Sequence, residues 1–129
     1  MSKAKLKGNS PVLLVSDVVY SADWYKDKLG FHFEKLYGDP PSFCILERDN
    51  CFLMLCNTKS KDEIKPNWKI VDKMWNVYFW TDNAEAAYKE FKQKGANIDY
   101  EIYVTPYNIK EFGVIDPDGY DIAFGEILR

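Results

Sequence analysis

The residues able to do nucleophilic, acid–base or metal chemistry are few and scattered. The chain of 129 residues has one histidine, His32, and three cysteines, Cys44, Cys51 and Cys56. A thiolate nucleophile needs a base or a positive partner beside it. Nothing in the spacing brings His32 next to a cysteine, so a Cys–His pair is not expected, and His32 reads as ordinary structure. A metal site needs several His, Cys or carboxylate donors at matched spacing. Glu47, Cys56 and Glu126 carry suitable atoms, but their spacing suggests no such site. A disulfide is also not expected. With a turn at Asp49–Asn50, residue 51 pairs with 48, so Cys44 and Cys51 are not opposite each other. Cys44 reads as a small apolar packing residue, and Cys56 either packs or lines a cavity. An odd number of thiols, and no signal peptide in MSKAKLKGNSPVLL, point to reduced cysteines in the cytoplasm.

What the chain offers instead is aromatic surface. Nine Tyr, eight Phe and four Trp make up 16% of it. Side chains of this kind fill a core or wall an apolar pocket. The overall balance is 47% hydrophobic and 29% charged, which fits one globular domain over residues 1–129 with a real core. The net charge is −3 and the pI about 5.2. No basic stripe alternates with the aromatics, so nucleic acid is excluded as a partner. An acidic balance favours cationic ligands, but −3 is too small to carry that by itself. No stretch approaches the ~20 apolar residues of a membrane span.

The elements that must position these groups occur twice. In PVLLVSDVVYSADWYKDKLGF, Val12 to Val15 read as a buried strand and Asp17 as a helix N-cap. Val18, Ala22, Tyr25 and Leu29 then fall on one helical face, and Gly30 ends the helix. In NVYFWTDNAEAAYKEFKQKGANI the same order returns. Val77 to Thr81 form the strand, Asp82 the N-cap, Ala84, Ala87, Tyr88 and Phe91 the apolar face, and Gly95 the C-cap. Asp82 follows Asp17, and Gly95 follows Gly30, by 65 residues each, which reads as an internal duplication. Each helix is followed by a strand and a hairpin. These are residues 31–37 with 41–57, and residues 98–104 with 111–128, where Asp116-Pro117-Asp118-Gly119 makes a tight turn. The expected class is therefore α+β, with two tandem βαβββ modules at 10–57 and 75–128 and a connecting loop over 58–74.

This pattern, with VSD…WYKDKLGF near the start and DPDGYDIAF near the end, resembles the vicinal oxygen chelate superfamily of glyoxalases, bleomycin-resistance proteins and dioxygenases. The resemblance implies curved sheets around a cavity and a homodimer with its sites between subunits. In glyoxalase-like members it implies a divalent metal that polarises a substrate oxygen. Carried onto this chain, the ligand positions fall on Ser10, Met54, Asn76 (or Trp75 with a slipped register) and Ala123. None is a good ligand for a divalent metal, so no metal and no cofactor is expected.

Among the members, the chain most resembles the metal-free, bleomycin-resistance branch. Its groove aromatics correspond to Phe43 in DPPSFCIL and Tyr107 in TPYNIKEFGVIDPDG, where a Trp and a Gly of the branch are replaced by Tyr107 and Asn108. Strand alternation adds the rest. If Met54 faces the cavity, so do Phe52 and Cys56, with Leu53 and Leu55 under a helix; if Asn76 faces in, so do Tyr78 and Trp80. That describes an aromatic and sulfur-lined cup with few charges. The expected ligand-binding residues are Phe43, Met54, Tyr78, Trp80 and Tyr107, and the expected function is non-catalytic sequestration of a planar or apolar small molecule. Two alternatives stay open: a glyoxalase- or dioxygenase-like enzyme with an altered site, and a structural dimer module whose cup is filled by its own side chains.

Overall fold

Asp17 stands in extended backbone and its side chain accepts a 3.1 Å hydrogen bond from Tyr20 N–H, so a helix starts after it. This helix, α1 (Val18–Leu29), ends at Gly30, whose φ of 71° is the left-handed conformation that glycine adopts without strain. The computed structural model describes residues 2–129. Around α1 lie β1 (Val12–Val15), β2 (Leu36–Tyr37), β3 (Phe43–Arg48) and β4 (Cys51–Asn57). The second half holds β5 (Val77–Trp80), α2 (Ala84–Gln93), β6 (Asn97–Val104), β7 (Ile109–Ile115) and β8 (Asp121–Ile127).

The two sheets have the orders β1-β4-β3-β2 and β5-β8-β7-β6. In each, the first strand pairs parallel to the last and the remaining pairs are antiparallel. This is the tandem βαβββ arrangement in an α+β fold. Each sheet keeps one face in the core. On β1, Leu13 and Val15 are buried while Val12 and Leu14 stand exposed on the other side. Leu53 and Leu55 of β4 follow the buried parity, beneath α1.

Three local readings change. Helix α2 is capped by Asn83 rather than Asp82, because Asn83 lies three residues before the Ala86 N–H that its side chain accepts at 3.0 Å. Glu126 supplies a second acceptor, to Ala84 N–H at 2.9 Å. At the other end Lys94 is the cap, and Gly95, with φ 82°, follows it. The strand expected over 31–37 shrinks to Leu36–Tyr37 plus an isolated pairing of His32 with Glu47. Phe33 packs against the core and takes the intervening residues out of the ladder.

One hydrophobic cluster draws on both halves of the chain, including Tyr25, Leu46 and Leu53 from the first and Phe91, Phe112 and Ile122 from the second. The Asp116–Gly119 turn ties the halves together. Ser16 Oγ donates to Asp118 Oδ1 at 2.6 Å, Tyr25 Oη to Asp116 Oδ2 at 2.7 Å, and Tyr120 Oη to the Leu14 carbonyl at 2.6 Å. The segment over 58–74 forms two short 3-10 turns, and Trp68 Nε1 pins it to the Gly119 carbonyl at 2.6 Å.

Candidate functional site

The open face of the second sheet is where polar and aromatic side chains converge. Register sets its membership. Tyr78 lies beside Ala123, Trp80 beside Gly125, Glu111 beside Gly125 and Gly113 beside Ala123. Alternation then places Tyr78, Trp80, Glu111, Asp121 and Ala123 on one face, opposite Phe112, Ile122 and Phe124 of the core. Two glycines make room for phenol rings. A Cβ on Gly125 would meet the Tyr78 hydroxyl, and one on Gly113 would meet the Tyr100 ring and, at 2.7 Å, Asp121 Oδ1.

Glu111 is the polar centre of the face and is 5% exposed. Its Oε1 accepts from Tyr78 Oη at 2.8 Å and its Oε2 from Tyr100 Oη at 2.7 Å. Trp75 Nε1 donates to Tyr100 Oη at 3.1 Å and extends the network. Burial first, then the hydrogen bond to Glu111, pushes both phenols well above their ordinary value. Asp121 is 2% exposed, and its Oδ1 has no hydrogen-bond partner. Burial, then Asp99, then Glu111 push its carboxyl up to about 8.

Two adjoining cavities open here. One, of about 460 Å³, is walled by Trp75, Tyr78, Trp80, Tyr103 and Tyr107. The other, of about 600 Å³, reaches Asp99, Tyr100 and Asp121. Trp75, Tyr103 and Glu111 line both. The rings of Trp75, Tyr78 and Trp80 run in a row with successive centroids 4.8 Å apart. Trp80 is 56% and Tyr107 85% exposed, so both stand at the mouth.

Of the residues expected to bind ligand, Tyr78, Trp80 and Tyr107 meet in this cleft. Phe43 and Met54 do not. Both lie on the first sheet, Phe43 beside Cys56 and near the Tyr37 ring, Met54 between Val12 and Ile45. The expectation of few charges fails on the second sheet, because Glu111 and Asp121 share the face of Ala123. Parity could have found them: Asp121 is two residues from Ala123 and Glu111 two from Gly113. Tyr100 and Tyr103 were beyond such reading, because register shifts interrupt the β6–β7 pairing on either side of Tyr100.

The four positions that correspond to metal ligands do not fit a divalent metal. Ala123 offers no donor atom and Met54 only a thioether. Asn76 Oδ1 already accepts from Asn67 N–H at 2.8 Å. Ser10 Oγ is buried without a partner, a single neutral hydroxyl. Among the described residues no group of three or more His, Cys, Asp or Glu is disposed to hold a metal ion. His32 exchanges backbone hydrogen bonds with Glu47 at 2.8 Å, and all three cysteines are free.

The sequence profile of the Glyoxalase/Bleomycin resistance protein/Dioxygenase superfamily matches residues 9–124. No curated protein matches the sequence significantly. Solved structures with the same fold include TioX from Micromonospora sp. ML1 (15% identity, TM-score 0.74, covering 95% of this chain and 99% of that one). Another is the bleomycin-binding protein from bleomycin-producing Streptomyces verticillus complexed with copper(II)-bleomycin (23%, TM-score 0.71, 95% and 97%). A third is TnmS3, an antibiotic binding protein from Streptomyces sp. CB03234 (17%, TM-score 0.74, 98% and 100%).

Proposed function

The chain belongs to the glyoxalase/bleomycin resistance protein/dioxygenase superfamily, and from that premise we propose that it is a non-catalytic small-molecule-binding protein of the antibiotic-binding type. The observation that carries this reading is the aromatic cleft of Trp75, Tyr78, Trp80, Tyr103 and Tyr107, set beside metal-ligand positions that hold Met54 and Ala123. Such a cleft can hold a planar ligand by stacking and contact area, with few polar contacts to orient it. Sequestration needs no chemical step. Two solved structures of the same fold, a bleomycin-binding protein and an antibiotic binding protein, support the choice.

In this reading the active unit is a cytoplasmic homodimer. The open face of the first sheet presents Val12, Leu14, Tyr37 and Phe52, all more than a third exposed, together with Phe43 and Met54. An apolar sheet face of that kind suits burial against another surface. Placed over the cleft of a second copy, it would bring Phe43 and Met54 to the ligand that Tyr78, Trp80 and Tyr107 hold.

The test is a thermal-shift titration with bleomycin and a panel of planar aromatic compounds, with light scattering of the same sample. A ligand at a hundredfold excess over its Kd stabilises the fold by about 2.7 kcal/mol, which raises Tm by several degrees. A dimer with at least one stabilising planar compound is expected. A monomer that no compound shifts would overturn the reading.

A further inference from the structure

The floor of the cleft holds a buried carboxylate that no cation among the described residues pairs with. Glu111 is 5% exposed, and its partners are two neutral phenols rather than a cation. It makes no salt bridge among the described residues, whose ion pairs all lie elsewhere. Buried carboxylates are ordinarily paired, because burial strips them of the water that stabilises charge. Asp121 adds an independent sign. It is 2% exposed, it faces the same cavity, and its Oδ1 is an acceptor without a donor. Asp99 of β6 lines the cavity as well, and Lys73, exposed at the rim, is the one cationic residue that does so among the described residues.

We infer that this cleft selects an organic cation, a planar quaternary ammonium or amidinium compound whose positive end sits over Glu111 and Asp121 while its ring lies among Trp75, Tyr78 and Tyr103. The inference rests on the binding function proposed above and names the class of ligand. Three features act in the same direction. A cation supplies the counter-charge that Glu111 lacks. An amidinium N–H, where present, can donate to the orphan Asp121 Oδ1. The faces of Trp75 and Tyr103, which line both cavities, attract positive charge by their ring quadrupoles. Burial first, and then the crowding by Asp99 and Glu111, hold a proton on Asp121, and a bound cation favours its release; the same crowding disfavours an anion. A neutral aromatic would gain only the stacking. The cavity of about 600 Å³ is ample for such a compound.

The experiment is calorimetric titration of the full chain at pH 7 with three probes of similar shape: N-methylquinolinium, quinoline and 2-naphthalenesulfonate. N-methylquinolinium is expected to bind about tenfold more tightly than quinoline, the scale of one partly desolvated cation–π contact. The sulfonate is expected to bind least. Glu111→Gln should weaken N-methylquinolinium about tenfold and leave quinoline within about twofold, a split that a merely structural role would not give. Asp121→Asn, nearly isosteric, should act in the same direction, and if it does not fold, the probe series and Glu111→Gln decide alone. Quinoline binding as tightly as the cation, or preference for the sulfonate, would overturn the cation inference and leave the binding function standing. Failure of all three probes would overturn both.

Discussion

Tyr25 Oη donates a 2.7 Å hydrogen bond to Asp116 Oδ2, and so joins the middle of α1 to the turn that precedes β8, 91 residues away. Both side chains are buried. Asp118 N–H and Tyr120 N–H bond the other carboxyl oxygen, Oδ1, at 2.9 Å each. This contact sets the first module against the second. Tyr25→Phe removes the one side-chain donor and leaves a buried acceptor short of a partner, which costs about 1–3 kcal/mol. Urea denaturation should show that loss at an unchanged m-value.

Asp116 also gives the fold a pH dependence of definite sign. Burial, the largest influence, outweighs its hydrogen bonds and pushes its carboxyl up from 3.8 to about 6. The folded state thus holds this proton more tightly than the unfolded state does. The stabilisation is full below pH 3.8 and is lost as pH rises through about 6. Tm measured from pH 4 to pH 7 should fall for the wild type by more than for Asp116→Asn, which has no proton to lose there.

The Arg48–Glu90 pair works in the opposite sense. Arg48 Nη1 and Nη2 donate to the two Glu90 oxygens at 2.7 and 2.8 Å, across the boundary between modules. Arg48 first, and Lys94 after it, hold Glu90 down to about 2 from 4.5. Its contribution is present above pH 4.5 and is lost as pH falls through about 2. Both side chains are 30% exposed, so solvent screens the pair. Glu90→Gln should cost about 1 kcal/mol at pH 7 by chemical denaturation, and the difference should shrink below pH 4.

Gly125 decides whether Tyr78 can lie against the sheet. Gly125→Ala puts a Cβ on the Tyr78 hydroxyl and pushes it off Glu111. Overpacking of this kind costs about 1–3 kcal/mol. Both stability and affinity for any planar probe should fall together, as read by denaturation and titration. In contrast, Trp80→Ala and Tyr107→Ala act at exposed side chains. They should leave the Tm of the free protein nearly unchanged and each weaken binding by about 1 kcal/mol.

Elemental analysis of purified protein checks the donor chemistry at Ser10, Met54, Asn76 and Ala123. The expected result is far less than one divalent metal per chain. About one per chain would mean that other residues build a site.

The repeat was legible in the sequence because caps and apolar spacing are local. Asp17, Gly30 and the row Val18, Ala22, Tyr25 and Leu29 specify α1 without reference to the rest of the chain, and the structure has that helix and those buried residues. The misplacement of the α2 cap at Asp82 came from the same strength. Asp82 and Asn83 are both good caps, and only the hydrogen bond to Ala86 N–H separates them. The brief strand β2 was not legible, since its length depends on where Phe33 finds the core.

The sequence by itself determined the two βαβββ modules, the faces of their helices and the missing donors at Met54 and Ala123, because periodicity, capping and side-chain chemistry are properties of neighbouring residues. Only the tertiary structure decided that Tyr78, Trp80 and Tyr107 share a cleft that Phe43 and Met54 do not line, and that Glu111 and Asp121 lie buried on the cleft's floor. Register between strands far apart in sequence sets those positions, and register follows from the packing of the whole core.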